Sequence, residues 1–99
     1  MARLPIHPGE ILADEINELG ISASELARLL GVQKNRITQI INGERGITAN
    51  TALRLARYFG NSAEFWMNLQ KNYELRLAEQ QTGKEIEETV RPRVLAPCS

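Results

Sequence analysis

The sequence predicts an all-α domain of five helices. Its apolar residues recur almost everywhere at helical spacing, and no segment alternates apolar and polar residues as a half-buried strand does. Capping residues and glycines divide the chain into short periodic segments. With 99 residues, 42% of them hydrophobic, the chain can form one small core. We expect residues 1–81 to form the domain and residues 82–99 to form a short acidic segment and a flexible tail.

The first two helices have clear boundaries. Proline is tolerated in the first turn of a helix, so the first helix is predicted to begin near Pro8, and Gly20 ends it. The segment "SASE", from Ser22 to Glu25, predicts a capping box, in which the serine and the glutamate each cap a backbone amide. The second helix therefore starts there and ends at Gly31.

The third and fourth helices follow after short connections. The third is predicted from about Gln33 to Asn42, where Asn42-Gly43 suits a left-handed stop. Thr48 can cap the fourth helix, which Gly60 ends.

The fifth helix is predicted from Ser62, its cap, to about Gln81, because Thr82-Gly83 indicates a break. A small domain has little room to bury all of its aromatic residues. We therefore expect part of the apolar stripe of this helix to contact a second copy of the chain, and burial against the first and fourth helices is the alternative. Its residues are Trp66, Leu69, Tyr73 and Leu77.

The second and third helices form a helix-turn-helix pattern. Only three or four residues, opening with Gly31, connect them, and such a short connection makes the helices cross steeply. Ala27 is small where the helices approach, and Val32 and Ile37 can fill the junction. The second helix of such a motif lies in the major groove of DNA.

The charge distribution supports a nucleic-acid partner although the whole chain has no net charge. Residues 22–60 contain six basic and two acidic residues, whereas residues 1–21 contain one basic and four acidic residues. No acidic residue occurs between Gln33 and Gly43. A basic block within a neutral chain can present a face to phosphate. A solvated surface of mixed charge is the alternative interpretation.

Several side chains near the start of the third helix can read bases. Lys34 can donate to guanine, and the amides of Asn35 and Gln39 can bond adenine at two atoms. Asn35 and Gln39 are four residues apart and share one face of the helix. Thr38 lies beside that face and could contact a thymine methyl group.

Other residues are expected to contact phosphate, which positions the protein without reading sequence. These predicted contacts come from the third helix and from the loop that follows it. They are Gln33, Arg36, Asn42 and Arg45.

Other functional classes have little support in the sequence. His7 has no cysteine or second histidine near it, so it is interpreted as a surface or capping residue rather than a metal ligand. The single cysteine, Cys98, lies in the predicted tail. We expect no enzymatic activity, cofactor or metal, no membrane span, and a location in the reducing cytoplasm.

The chain resembles the HigA family of antitoxins, in the Xre and phage-repressor class of helix-turn-helix proteins. The resemblance covers residues 6–92 and depends on three segments that are specific to the family. They are "HPGEIL", "NGERGITANTALRLARYFG" and "FWMNLQ".

The resemblance implies a lambda-repressor-like fold and a homodimer that binds a palindromic operator in its own promoter. It also implies a partner, a HigB-type ribonuclease toxin. Lys34, Asn35 and Gln39 match positions that repressors of this class use for bases. Gln33, Arg36 and Asn42 match positions on or near those that contact the backbone. Gln33 departs from the serine or threonine common before this helix, and glutamine is a poor cap.

Two alternatives remain open at this point. The chain could be a stand-alone transcriptional regulator without a toxin, or a protein-binding inhibitor whose helix-turn-helix is vestigial. A basic toxin would favour an acidic surface. The sequence offers two such surfaces, one on the first helix and one near the end of the chain. They are Glu10, Asp14, Glu15 and Glu18, and Glu85, Glu87 and Glu88.

Overall fold

A computed structural model describes residues 4–94 of the protein. Within these residues there are five helices and no strand, which confirms the predicted fold class. The predicted tail beyond residue 94, with Cys98, lies outside the described residues. Numbered in chain order, the helices are α1 (Pro8–Leu19), α2 (Ala23–Leu30), α3 (Lys34–Ile41), α4 (Ala49–Phe59) and α5 (Ala63–Thr89).

Serine hydroxyls cap two of these helices as predicted. The Ser22 hydroxyl accepts a hydrogen bond from the Glu25 amide at 3.1 Å, and the Ser62 hydroxyl accepts one from the Phe65 amide at 3.0 Å. Only half of the predicted capping box at Ser22 forms, because the Glu25 carboxylate bonds the Arg28 guanidinium instead. The start of α2 therefore has one side-chain cap, and Glu25 instead forms an exposed ion pair within the helix.

The helix-turn-helix forms where the sequence predicts it. Gly31 has a φ of 72°, a left-handed conformation that a side chain would strain, and it turns the chain between α2 and α3. Ala27 and Ile37 are buried at the junction, and Val32 packs against the same core.

One hydrophobic core joins all five helices. α3 packs between α1 and α2, while α4 packs on α2 and α5. Burying one large aliphatic side chain stabilises the fold by roughly 1.5–3 kcal/mol. The core residues are Leu12, Ile16, Leu26, Ala27, Leu30, Ile37, Ile40, Ile47, Ala52, Leu55 and Trp66.

Trp66 corrects part of the predicted dimer contact. Its side chain is only 1% exposed, and the indole N–H donates to the Asn61 side-chain oxygen at 2.8 Å. The ring packs near Phe59 and Phe65, with centroids 5.7 Å and 5.2 Å away. Trp66 is therefore a core residue of its own protomer, and the prediction that it contacts a second copy is wrong.

The predicted end of the fifth helix is also wrong. α5 has 27 residues and continues through Thr82-Gly83 to Thr89. The Thr82 hydroxyl donates to the Ala78 carbonyl at 2.9 Å, so that side chain bonds within the helix and does not break it. An internal glycine costs a helix only about 1 kcal/mol relative to alanine, which neighbouring residues can offset. The last acidic residues, Glu85, Glu87 and Glu88, thus lie on a helix.

The length of α5 gives the molecule its elongated shape, with extents of 56 × 28 × 22 Å. From residue 78 onward almost every described residue is exposed. Among residues 4–94, no helix has the length and apolar character needed to cross a membrane.

Candidate nucleic-acid interface

α3 has one face in the core and one face in solvent. Ile37 and Ile40 are fully buried, which orients the helix about its axis. Lys34 and Asn35 are exposed, and Gln39 is partly exposed. The three side chains predicted to read bases therefore lie together on the outward face.

These outward side chains have little to hold them in place. Among residues 4–94, the side chains of Lys34, Asn35 and Gln39 make no hydrogen bond to another residue. The Thr38 hydroxyl donates weakly to the Asn35 carbonyl at 3.3 Å, within the same helix. The long polar groups thus remain available to bind an external ligand.

The amino end of α3 lacks a side-chain cap. Gln33 occupies the capping position but accepts no hydrogen bond from the first turn, as its poor capping propensity predicts. The free amides of this turn give it a partial positive charge that favours an anion. Asn42 lies exposed at the opposite end, where Gly43, with a φ of 78°, makes the predicted left-handed turn.

A hydrogen-bonded bridge that the sequence analysis missed joins three helices beside this face. The Asn50 side-chain oxygen accepts from Arg36 at 3.0 Å and from Arg54 at 2.9 Å. Arg54 also donates to the Leu30 carbonyl at the end of α2, at 2.8 Å. Arg36 is thus ordered by α4. No local pattern predicts this, because Asn50 lies 14 residues away.

The two predicted phosphate contacts Arg36 and Arg45 line a single shallow groove of about 240 Å³. Thr48 begins α4 at the edge of this groove, but its side chain makes no capping bond to the α4 amides. Two cations and an uncapped helix start therefore face the same concave surface. An anion such as phosphate suits it. The other lining residues are Gly46, Asn50 and Thr51.

The carboxyl end of α3 rests on the start of α1. A side chain on Gly9 would place its Cβ 1.9 Å from the Ile40 carbonyl oxygen, so only glycine allows this approach. His7 caps α1 by accepting from the Gly9 amide at 2.9 Å, and the Glu10 carboxylate accepts from the His7 amide at 3.3 Å. The "HPG" part of the segment "HPGEIL" therefore docks α1 against α3, which we call the recognition helix.

The His7 ring is buried between α1, α5 and the loop after α3. Burial lowers the pKa of His7 below its usual value, while the nearby Glu10 carboxylate and a hydrogen bond to the Arg45 backbone oppose this shift. The Tyr73 ring lies edge-on, with centroids 4.8 Å apart. His7 is thus a capping residue, one of the two roles predicted for it.

Comparison with known proteins identifies the family. The helix-turn-helix family matches residues 12–66, more than half of the chain. The chain is 54% identical, over 76 residues, to virulence-associated protein I of Dichelobacter nodosus. That alignment covers 76% of this chain and 70% of the relative.

Solved structures with the same fold include close relatives. An addiction module antidote protein of the HigA family from Coxiella burnetii is 52% identical, with a TM-score of 0.90. It covers 92% of this chain and 100% of that chain. PA4674 of Pseudomonas aeruginosa, solved with its operator DNA, is 49% identical, with a TM-score of 0.89 and coverage of 92% and 97%. The chain belongs to the helix-turn-helix family and, within it, to the HigA family of antitoxins.

Proposed function

We propose that this protein is a sequence-specific transcriptional repressor that also serves as the antitoxin of a toxin–antitoxin module. It binds a palindromic operator in its own promoter and neutralises a HigB-type ribonuclease toxin. The observation that carries the DNA-binding role is the outward face of α3. There Lys34, Asn35 and Gln39 are unbonded within residues 4–94, in a segment free of acidic residues.

Each recognition helix enters one major groove and reads bases through these three side chains. Arg36 and Arg45 bind the flanking phosphates from the groove that they line together. Occupation of the promoter then blocks transcription. The operator-bound structure of PA4674 supports this role for a chain of the same fold.

A titration of the full-length protein against the DNA upstream of its own gene tests the proposal. We expect affinity to fall steeply between low and moderate salt, because bound phosphates release counterions, with a slope of about −0.9 per phosphate neutralised. A scrambled duplex of equal length is the control and should bind much more weakly. Equal, weak and salt-independent binding to both duplexes would favour a protein-binding module with a vestigial motif.

The repressor is proposed to act as a homodimer, because recognition helices must lie about 34–36 Å apart to enter successive major grooves. The proposed contact is the remaining stripe on α5. Leu69, Tyr73 and Leu77 are each partly exposed. The neighbouring Leu75 is 51% exposed and can extend the contact.

Light scattering of two matched variants tests the dimer contact. Leu77→Glu on α5 should produce monomers, because it would place carboxylates against an apolar partner surface. Leu53→Glu on α4, at a site 63% exposed, serves as the control and should remain dimeric. If Leu53→Glu alone gives monomers, the contact lies on α4 instead.

The toxin-binding role is proposed from the family and from charge. Two exposed acidic surfaces, on α1 and at the end of α5, could bind a basic ribonuclease. Co-expression with the product of the adjacent gene should restore growth if that product is the toxin. Lysine substitutions at Asp14 and Glu18, compared with the same change at Glu87 and Glu88, would identify the surface. If the chain is a stand-alone regulator, its co-expression with a neighbouring gene product should not restore growth.

A further inference from the structure

The loop between α3 and α4, residues 42–48, depends on two different helices for its hydrogen bonds. The Gln39 carbonyl at the end of α3 accepts from the amides of Glu44 at 2.8 Å and Arg45 at 3.2 Å. Further along the loop, the Ile47 amide donates instead to the side-chain oxygen of Gln70 on α5, at 2.7 Å. The second half of the loop is therefore held by a residue 23 positions away.

Gln70 is fixed at both ends of its carboxamide. Its side-chain nitrogen donates to the Glu74 carboxylate at 2.8 Å, and the residue is only 8% exposed. The carboxamide lies directly against Gly46, where an added Cβ would be 2.7–2.9 Å from its atoms. A buried polar group without a partner destabilises the fold, so this polar side chain is retained in the interior by its hydrogen bonds.

The contact is next to a predicted phosphate ligand. Gly46 and Ile47 directly follow Arg45, and Arg45 and Gly46 line the groove beside the recognition helix. On the other side, the His7 ring packs on Tyr73 of α5, with centroids 4.8 Å apart. The Arg45 backbone therefore lies next to a segment that α5 holds through Gln70.

We propose that Gln70 is a positioning residue for DNA binding. It touches no DNA itself. It holds the loop so that the Arg45 guanidinium reaches a phosphate. Phosphate binding thereby depends on the hydrogen bond between the loop and Gln70 of α5. This inference rests on the proposed DNA-binding function.

A double-mutant cycle tests it, with the dissociation constant for the operator and its salt dependence measured on the full chain. Arg45→Ala should weaken binding about 5- to 15-fold and make the salt slope shallower by about 1. Gln70→Ala should reproduce both changes while leaving the ratio between operator and scrambled DNA unchanged. In the Arg45→Ala background, Gln70→Ala should have no further effect, because its route to DNA is already lost. Gln80→Ala, an exposed glutamine on the same helix, is the control.

A polarity exchange separates positioning from simple stabilisation. Gln70→Glu alone places a carboxylate beside Glu74, so it should weaken operator binding. The double change Gln70→Glu with Glu74→Gln should restore it, since the new carboxylate accepts from Ile47 while the new amide at position 74 donates to it. All affinities are compared well below the lowest melting temperature of the set, so that every variant is folded.

Other outcomes would overturn the inference. Wild-type affinity of Gln70→Ala, or a loss that simply adds to that of Arg45→Ala, would show that Gln70 does not act through Arg45. If Arg45→Ala weakens binding in either case, the proposed function stands while the role of Gln70 fails. If neither Arg45→Ala nor a base-reading variant affects binding, the proposed function fails as well.

Discussion

The amino end of the recognition helix is held loosely, whereas its carboxyl end is fixed by contacts from α1 and α5. At the amino end, Gln33 caps nothing, and the side chains of Lys34 and Asn35 are unbonded within residues 4–94. At the carboxyl end, Gly9 admits the Ile40 carbonyl, and Gln70 bonds the loop beyond. The carboxyl end is therefore the rigid part of α3, whereas the side chains near its amino end are free to change their rotamers.

The largest expected effect comes from closing the space at the fixed end. Gly9→Ala would place a methyl group 1.9 Å from the Ile40 carbonyl oxygen, so α1 and α3 must separate. We expect the free energy of unfolding to fall by about 3 kcal/mol, and the melting temperature by roughly 12 °C or more. Gly20→Ala is the control, because nothing lies within 4 Å of an added Cβ there and only its φ of 71° opposes the change. Equal losses in the two variants would contradict the close docking.

The next largest effect should appear on the exposed face of α3, in affinity and not in stability. Asn35→Ala or Gln39→Ala should lose about 1–3 kcal/mol of operator binding, or roughly 5- to 150-fold, and should relax specificity at one base pair. Their melting temperatures should change little, because both side chains face outward. Asn68→Ala, an exposed asparagine on α5, is the control. Wild-type selectivity in both variants would disprove the base-reading assignment.

A smaller effect should follow from capping the loose end. Gln33→Ser supplies the hydroxyl that the start of α3 lacks, so we expect a gain of about 0.5–1 kcal/mol in the free energy of unfolding. Chemical denaturation measures it, with Ser22→Ala, which removes an existing cap, as the opposite change. An unchanged midpoint for Gln33→Ser would mean that the first turn is already satisfied.

The smallest effect concerns pH at the fixed end. The pKa of His7 is lowered from 6.5 by burial, so the unfolded chain binds the proton more readily than the folded one. Above pH 6.5, this titration therefore takes nothing from the free energy of unfolding. The free energy of unfolding declines as the pH falls through 6.5 towards the pKa of His7 in the folded chain. Melting temperatures from about pH 7.5 to about pH 5.5 should fall more for the wild type than for His7→Asn, which cannot titrate there. Parallel curves would show that His7 does not contribute.

The sequence was sufficient for the features that depend on neighbouring residues. The serine caps, the helix end at Gly31 and the left-handed turn at Gly43 all act within a few residues, and each is in its predicted place. The outward orientation of Lys34 and Asn35 likewise follows from the burial of apolar residues on the same short helix.

The features that the sequence did not reveal depend on distant contacts. Trp66 is buried in its own protomer, where it packs near Phe59 and donates a hydrogen bond to Asn61. An apolar stripe in the sequence cannot distinguish such burial from a dimer contact. Gly83 lies within a helix despite its low propensity. The roles of Gln70 and Asn50 arise from partners 23 and 14 residues away, so no local pattern marks either residue.

The Asn50 bridge has a consequence for how the surface meets a polyanion. A carboxylate in its place could hold the same two guanidinium groups, but it would cancel one of their charges. The neutral amide oxygen fixes their rotamers and leaves both charges intact, and within residues 4–94 no carboxylate forms an ion pair with either arginine. The entropic cost of ordering these side chains is thus met before the encounter, while the electric field that attracts the ligand keeps its full strength.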